Sequence, residues 1–279
     1  MDSTLKADDG LTLRLRDWPC TAPRGSVVIV HGLGEHIGRY LQVAAHLNSW
    51  GWNVIGYDQR GHGASEGPRG RLASSDDLLR DLAHVIDAAR AAHRAPLVLL
   101  GHSLGGLVAA RFVAEGLTAS PASWHRPVDA LVLSSPALDT GMRAGQKLLL
   151  AVLGPLAPNL AVANGLQPAW ISRDPAVVAA YRADPQVHDR IASRLARFIV
   201  DAGAAVLARA SQWTVPTLLL YAGSDRCVAP AGSAAFAAAA PKAVVASRAF
   251  PALYHEIFNE PEQAEVFAVL QDWLGQRTG

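Results

Sequence analysis

The sequence predicts an α/β architecture: a mostly parallel central sheet flanked by helices, with a helical insertion late in the chain. Three observations carry that prediction. Between Ser26 and Ser134, short apolar runs suited to buried strands alternate with longer stretches of helical spacing. After Pro136 the alternation stops for roughly 75 residues, well beyond an ordinary connection, and then resumes. The chain's 279 residues, half of them hydrophobic, are enough for one large core that carries such an insertion. The expectation is a core of residues 1–137 and 214–279, with residues 138–213 as a helical cap.

Leu11–Arg16 alternates apolar and polar residues, as a half-exposed antiparallel edge strand does. Ser26–Val30 is apolar and β-branched, which suits a buried central strand. Arg39–Asn48 reads as a short helix with Leu41, Ala44, Ala45 and Leu47 available to pack. Trp52–Tyr57 is the next strand, and Asp58–Gly63 leaves it as a polar loop punctuated by glycine. Asp76 and Asp77 start a helix that reaches about His93, with Leu78, Leu79, Leu82, Val85 and Ile86 at helical spacing. Leu97–Leu100, after Pro96, is a buried strand, and the Ala- and Leu-rich stretch from Leu104 to Glu115 is a helix. Ala130–Ser134 is a strand closed by Ser135-Pro136. Within the insertion, Lys147–Leu153 is strongly apolar and ends at Gly154-Pro155. Helices are expected over Asp174–Ala183 and Val187–Ala210, with no clear core strand. The core resumes with a strand at Pro216–Tyr221, a loop to Pro230 and a small helix over Ala231–Ala240. A last strand at Val244–Phe250, a loop through Glu256 and a helix over Pro261–Arg277 complete it.

Charge and cysteine content exclude several classes of function. The net charge is +1 with Lys and Arg scattered among acids, so no nucleic-acid partner is expected. Cys20 and Cys227 give neither a disulfide framework nor metal-type spacing, and reduced thiols in a cytoplasmic protein are the expected state. Met1–Lys6 has no basic region followed by an apolar one, so no signal peptide is expected. No apolar run reaches the length of a membrane span.

The chemistry centres on Gly101-His-Ser-Leu-Gly105, which fits Gly-x-Ser-x-Gly between a strand and a helix. The turn there is so tight that Ser103 must take a strained backbone conformation, and side chains at Gly101 or Gly105 would collide with neighbouring elements. Its hydroxyl then sits at the tip of the turn, beside a helix N-terminus that favours negative charge. Gly63-Ala-Ser-Glu-Gly67 fits the same pattern but follows a loop and precedes Pro68, so it reads as a loop only. A serine alcohol needs a base to take its proton and a third group to hold that base. Functional groups in such sheets gather beyond the carboxyl ends of strands. His255 follows the last strand and Asp225 follows the strand before it, so they are the expected base and orienting acid, with Asp139 as the rival acid. The loop from His31 to Tyr40 is glycine-rich, but its Gly-x-Gly-x-x-x-Gly spacing is one residue too long for a dinucleotide loop. It is instead expected to turn the Leu33 N–H toward Ser103, the Leu104 N–H completing an oxyanion hole. His31, His36, His62 and His102 lie in loops near the same edge without ligand spacing on a helix, so neither a metal nor a cofactor is expected.

Taken together these residues resemble the α/β-hydrolase superfamily, in its monoacylglycerol lipase and lysophospholipase (serine aminopeptidase S33-type) branch. The resemblance rests on His31–Tyr40, Asp58–Gly63 with Ser65 and Gly67, Gly101–Gly106 and Ser134–Leu138. It continues through Ser172–Asp174, Tyr181 with Asp184-Pro185, Gly223–Arg226 and Tyr254–Glu256, so it spans nearly the whole chain. It implies Ser103, Asp225 and His255 as the catalytic triad and Leu33 and Leu104 as oxyanion donors. It also implies Glu35 and Arg39 near the polar end of the substrate pocket, where a glycerol-like group would lie, and the insertion as the cap. Leu33 departs from the animal lipase, which has a smaller residue there, and Phe258 stands where that enzyme has a second histidine.

The expected activity is a serine esterase acting on small lipid esters, releasing fatty acid and glycerol through an acyl-enzyme. Lysophospholipase, general carboxylesterase, thioesterase or amidase activity would use the same groups. A non-catalytic binding protein would usually lack a triad member, and all three are here. The stretch Leu148–Leu153 is expected either to shield the acyl chain and touch a membrane or micelle surface, or simply to pack a cap helix.

Overall fold

The computed structural model describes residues 1–93 and 96–276. Among the described residues ten strands occur in chain order: β1 (Asp2–Lys6), β2 (Thr12–Trp18), β3 (Gly25–Val30), β4 (Trp52–Tyr57), β5 (Leu97–His102), β6 (Ala130–Ser134), β7 (Ala161–Ala163), β8 (Arg190–Ala192), β9 (Thr217–Ala222) and β10 (Val245–Phe250). Eight of them form one sheet in the order β1-β2-β4-β3-β5-β6-β9-β10. From β4 to β10 every neighbouring pair is parallel; β1 and β2 run antiparallel at one edge. Strands β3, β4, β5 and β6 are buried along their whole length, which is why they read as unbroken apolar runs.

The helices are α1 (Leu41–Ser49), α2 (Asp77–Ala92), α3 (Leu104–Glu115), α4 (Ala144–Leu153), α5 (Pro175–Ala183), α6 (Ser193–Arg209), α7 (Pro230–Ala239) and α8 (Gln263–Gly275). Alternation along each strand divides the core in two. Val28, Val30, Leu99, Leu131 and Leu133 point to the face covered by α2, α3, α6 and α7. Val27, Ile29, Val98, Leu100 and Val132 point to the face covered by α1 and α8.

Four features differ from the sequence expectation. Strand β1 pairs with β2 although its residues are mostly exposed, so no burial pattern announces it. A short antiparallel pair, β7 with β8, lies inside the insertion. Helix α6 therefore starts at Ser193, not Val187, because the segment before it is held in extended form. There the His188 N–H donates to the Gly34 carbonyl at 2.8 Å and the Ala192 N–H to that of Gly70 at 2.8 Å. Once formed, α6 lies along α3, with Leu195, Phe198, Ala202 and Val206 buried in the same cluster as the sheet. The closing helix ends at Gly275, and Arg277 lies outside the described residues.

The two halves of the insertion are held differently. Residues 171–194 are tied to the core: Arg173 pairs with Glu260 at 2.6 Å and His36 Nε2 with Asp184 at 2.8 Å. The preceding half carries Leu148, Leu149, Val152, Leu156, Leu160 and Val162, each more than half exposed. Among the described residues no helix is long and apolar enough to cross a membrane.

Candidate active site

Ser103 joins β5 to α3 with φ 54° and ψ −120°, a conformation L-residues rarely hold. The glycines around it explain how the turn closes. A Cβ on Gly101 would lie 2.4 Å from the Gly105 carbonyl oxygen, and one on Gly105 only 2.1 Å from that of Val30. The strained residue is clamped on both sides. Its N–H donates to the Ser134 carbonyl, and its own carbonyl accepts from Leu107 and Ala137, each at 3.0 Å.

His255 and Asp225, 30 residues apart, meet through Nδ1 and Oδ2 at 2.7 Å. The other Asp225 oxygen accepts the Cys227 and Val228 N–H groups at 2.8 and 3.0 Å. Burial works against the Asp225 charge, but the imidazole of His255 and these donors outweigh it and lower its pKa. Burial likewise works against a charged His255, but the Asp225 carboxylate outweighs it and raises the imidazole pKa. The His102 ring packs against His255 with centroids 4.7 Å apart. Burial first, and then His255, push His102 down to about 4, so it stays neutral beside the Asp225–His255 pair. Asp139 does not take part; its carboxylate accepts the Gly141 N–H at 3.0 Å instead.

Ser103 and His255 open on one cavity of about 550 Å³, roofed by the insertion through Asn164, Leu166, Tyr181, Val187 and His188. A second lobe of about 200 Å³ leads from Ser103 between Leu33, Leu104, Met142, Ile191, Ile199 and Val228, and is mostly apolar. Neither the Leu33 nor the Leu104 N–H donates to another group among the described residues, and both residues border this second lobe beside Ser103.

The first lobe is polar, and its charges are already engaged. Buried Glu35 accepts the Gly32 N–H at 2.6 Å, the Tyr40 hydroxyl at 2.7 Å and Arg39 at 2.7 Å. Burial raises its pKa, but the Arg39 guanidinium, followed by the neighbouring imidazoles and the Tyr40 hydroxyl, outweighs it and holds it down to about 2. Arg39 spans from Glu35 to Glu256, which it grips through both nitrogens at 2.6 and 2.7 Å, and its guanidinium lies 4.8 Å from the Tyr181 ring centre. Cys227 borders both lobes, and burial followed by the Asp225 charge pushes its thiol up, away from thiolate. Asp225, Cys227 and His255 offer atoms within 4.8 Å of one another, a spacing a metal could use. Both Asp225 oxygens already accept hydrogen bonds, one from the His255 imidazole and the other from two backbone N–H groups.

Tyr40 and Glu256 complete this network without having signalled a role in the sequence. Glu256 is adjacent to His255, and that adjacency was the available clue. Gly63–Gly67 is a loop as read: Gly63 and Gly67 have φ of 51° and 108°. The Ser65 hydroxyl is spent on the Asp58 carbonyl and the Arg14 N–H.

A model of the serine aminopeptidase, S33 family (Hydrolase_4) matches residues 21–262. The chain belongs to this family of α/β-hydrolases. This S33-type hydrolase is 37% identical over 260 residues to the monoacylglycerol lipase of Mycolicibacterium smegmatis, covering 92% of this chain and 90% of that one. It is 30% identical to phospholipase YtpA of Bacillus subtilis, covering 93% and 98%. Among solved structures, the monoacylglycerol lipase of Paleococcus ferrophilus aligns with a TM-score of 0.84 at 34% identity, over 95% of this chain and 99% of that chain.

Proposed function

We propose that the protein is a serine hydrolase of small lipid esters, with monoacylglycerols as its substrates. The observation that carries this reading is the 2.7 Å Asp225–His255 bond opening on the same cavity as the strained Ser103. Ser103 Oγ attacks the ester carbonyl while His255 Nε2 takes its proton, and Asp225 steadies the imidazolium. The Leu33 and Leu104 N–H groups hold the oxyanion; one such donor is typically worth roughly 10²–10³ in rate. His255 then protonates the departing glycerol oxygen. A water, deprotonated by the same imidazole, attacks the acyl-enzyme and releases the fatty acid.

The two lobes support this assignment of groups. The apolar lobe suits an acyl chain, and the polar lobe with Glu35 and Arg39 suits glycerol. Because both charges are tied up, these two residues act by shaping that end and offering their remaining lone pairs and N–H groups. Residues 138–213 serve as the cap, and the exposed leucines of α4 touch a membrane or micelle from which substrate enters. The two free cysteines suit a cytoplasmic setting with peripheral contact of this kind.

A second reading, lysophospholipase, is favoured by one observation. Arg182 borders the polar lobe and pairs with no acid among the described residues, so a phosphate could find it. Labelling by a fluorophosphonate should occur in the wild type and vanish in Ser103→Ala. Rates across monoacylglycerols, lysophospholipids and p-nitrophenyl esters separate the readings. No labelling of folded wild type overturns the enzyme, and preference for lysophospholipids replaces the first reading with the second.

A further inference from the structure

We infer that His31 is a positioning residue for the oxyanion hole, acting by fixing the Gly32–Leu33 peptide plane. The inference rests on the assignment of the Leu33 N–H as an oxyanion donor. It starts from a geometric fact. The Gly32 carbonyl and the Leu33 N–H belong to one planar trans peptide and point in opposite directions. Whatever holds that carbonyl also aims that N–H.

The group that holds it is the His31 ring. His31 Nδ1 lies 2.8 Å from the Gly32 oxygen, and its Nε2 lies 2.9 Å from the Gln59 nitrogen. A backbone N–H can only donate, so Nε2 must accept and the single ring proton must sit on Nδ1. Nδ1–H therefore donates to the Gly32 carbonyl, and the opposite tautomer would set two acceptors and two donors against each other. The ring has no freedom to do otherwise. It is fully buried, burial pulls its pKa down, and the Gln59 side-chain amide ties the His31 carbonyl at 2.7 Å.

The other end of Gly32 is fixed as well. Its N–H is committed to Glu35, so both polar groups of this residue are held by buried side chains. A Cβ here would lie 3.2 Å from Ser103 Cβ, which places the peptide against the nucleophile. His31 thus stands behind the loop, out of reach of substrate, and sets the direction of the N–H in front. Such donors contribute only if they are aimed before the charge develops.

Two substitutions separate this role from simple packing. In His31→Asn the amide nitrogen occupies nearly the position of Nδ1 and can still donate to Gly32, while contact with Gln59 is lost. In His31→Gln the side chain fills more of the ring's volume and its oxygen can still accept from Gln59, but the donor to Gly32 is lost. The expected result is a fall in kcat of about 10²-fold for His31→Gln with KM changed less than about twofold, against less than about tenfold in kcat for His31→Asn. Equal losses in the two variants, a loss confined to KM, or a better Gln than Asn variant would overturn the inference. Should neither variant fold, ¹⁵N spectra of the wild-type imidazoles carry the test: His31 protonated at Nδ1 supports it, and protonation at Nε2 sinks it. A crystal structure of wild type phosphonylated at Ser103 tests the underlying assignment separately. If the phosphoryl oxygen does not meet the Leu33 N–H, the oxyanion reading itself fails; if it does and His31→Gln keeps full kcat, only the positioning role fails.

Discussion

Gly101–Gly105 and Gly63–Gly67 share one pattern of glycine and serine and use it for opposite purposes. In the first, a fully buried parallel strand feeds directly into a helix, and the glycines let backbone pass backbone at contact distance. The serine hydroxyl is left facing a cavity. In the second, no strand precedes and the glycines supply left-handed turns. A Cβ on Gly63 would lie 2.2 Å from Asp58, whose carboxylate clamps the Ile37 and Ala64 N–H groups. Ser65 is there consumed in holding the loop to β2. The difference teaches that the pattern specifies a tight backbone path, and that only the flanking elements decide whether its hydroxyl is free.

The contrast can be broken most sharply at the serines. Ser103→Ala should lower kcat by roughly 10⁶-fold with the thermal melt nearly unchanged, since alanine keeps the same strained backbone and the hydroxyl it removes faces the cavity. Ser65→Ala should leave kcat within about twofold and instead cost about 1–3 kcal/mol in denaturant unfolding, because it strips a buried loop of two hydrogen bonds. A large kcat loss in Ser65→Ala with unchanged stability would erase the distinction.

Next in size is the acid behind the base. Asp225→Asn should reduce kcat by roughly 10⁴-fold, by presenting the wrong tautomer of His255, while fluorophosphonate labelling slows but persists. The pH profile sharpens the same point. In the proposed mechanism His255 must be neutral to accept the Ser103 proton, and its pKa is raised from the ordinary 6.5 by Asp225. The acid limb of kcat/KM should therefore fall above pH 6.5, activity rising as pH rises through it, and should move lower in Asp225→Asn. The smallest effect is expected at the second glycine: Gly63→Ala should destabilise by about 1–3 kcal/mol through its positive φ and the Asp58 clash, with the turnover of the surviving folded fraction unchanged.

What was legible follows from these physical differences. Strands β3 to β6 could be read because both of their faces are buried, so the whole run is apolar. Strand β1 could not, since it lies at an exposed edge, and β7 and β8 are only three residues each. The sequence places the start of α6 too early because Val187 and Ile191 continue its apolar spacing; pairing with β7 and contact with Gly34 and Gly70, all distant along the chain, hold that stretch extended. At the site, strand ends order Ser103, Asp225 and His255 along the chain, and the structure joins the last two at 2.7 Å beside the cavity that Ser103 also lines. The engagement of Glu35 and Arg39 by Tyr40 and Glu256 was not legible, since Arg39 and Glu256 are 217 positions apart and neither side of that pair marks the other.

That same long-range pair bears on synthesis. The bent serine turn and its glycines are complete once roughly the first half of the polypeptide has left the ribosome, under the usual N-terminal-first order. The imidazole and the carboxylate that grips Arg39 emerge only near the end, at positions 255 and 256. On the proposed mechanism, a nascent or prematurely terminated chain would thus carry the alcohol without its proton acceptor, and ester cleavage would begin only when the final loop docks.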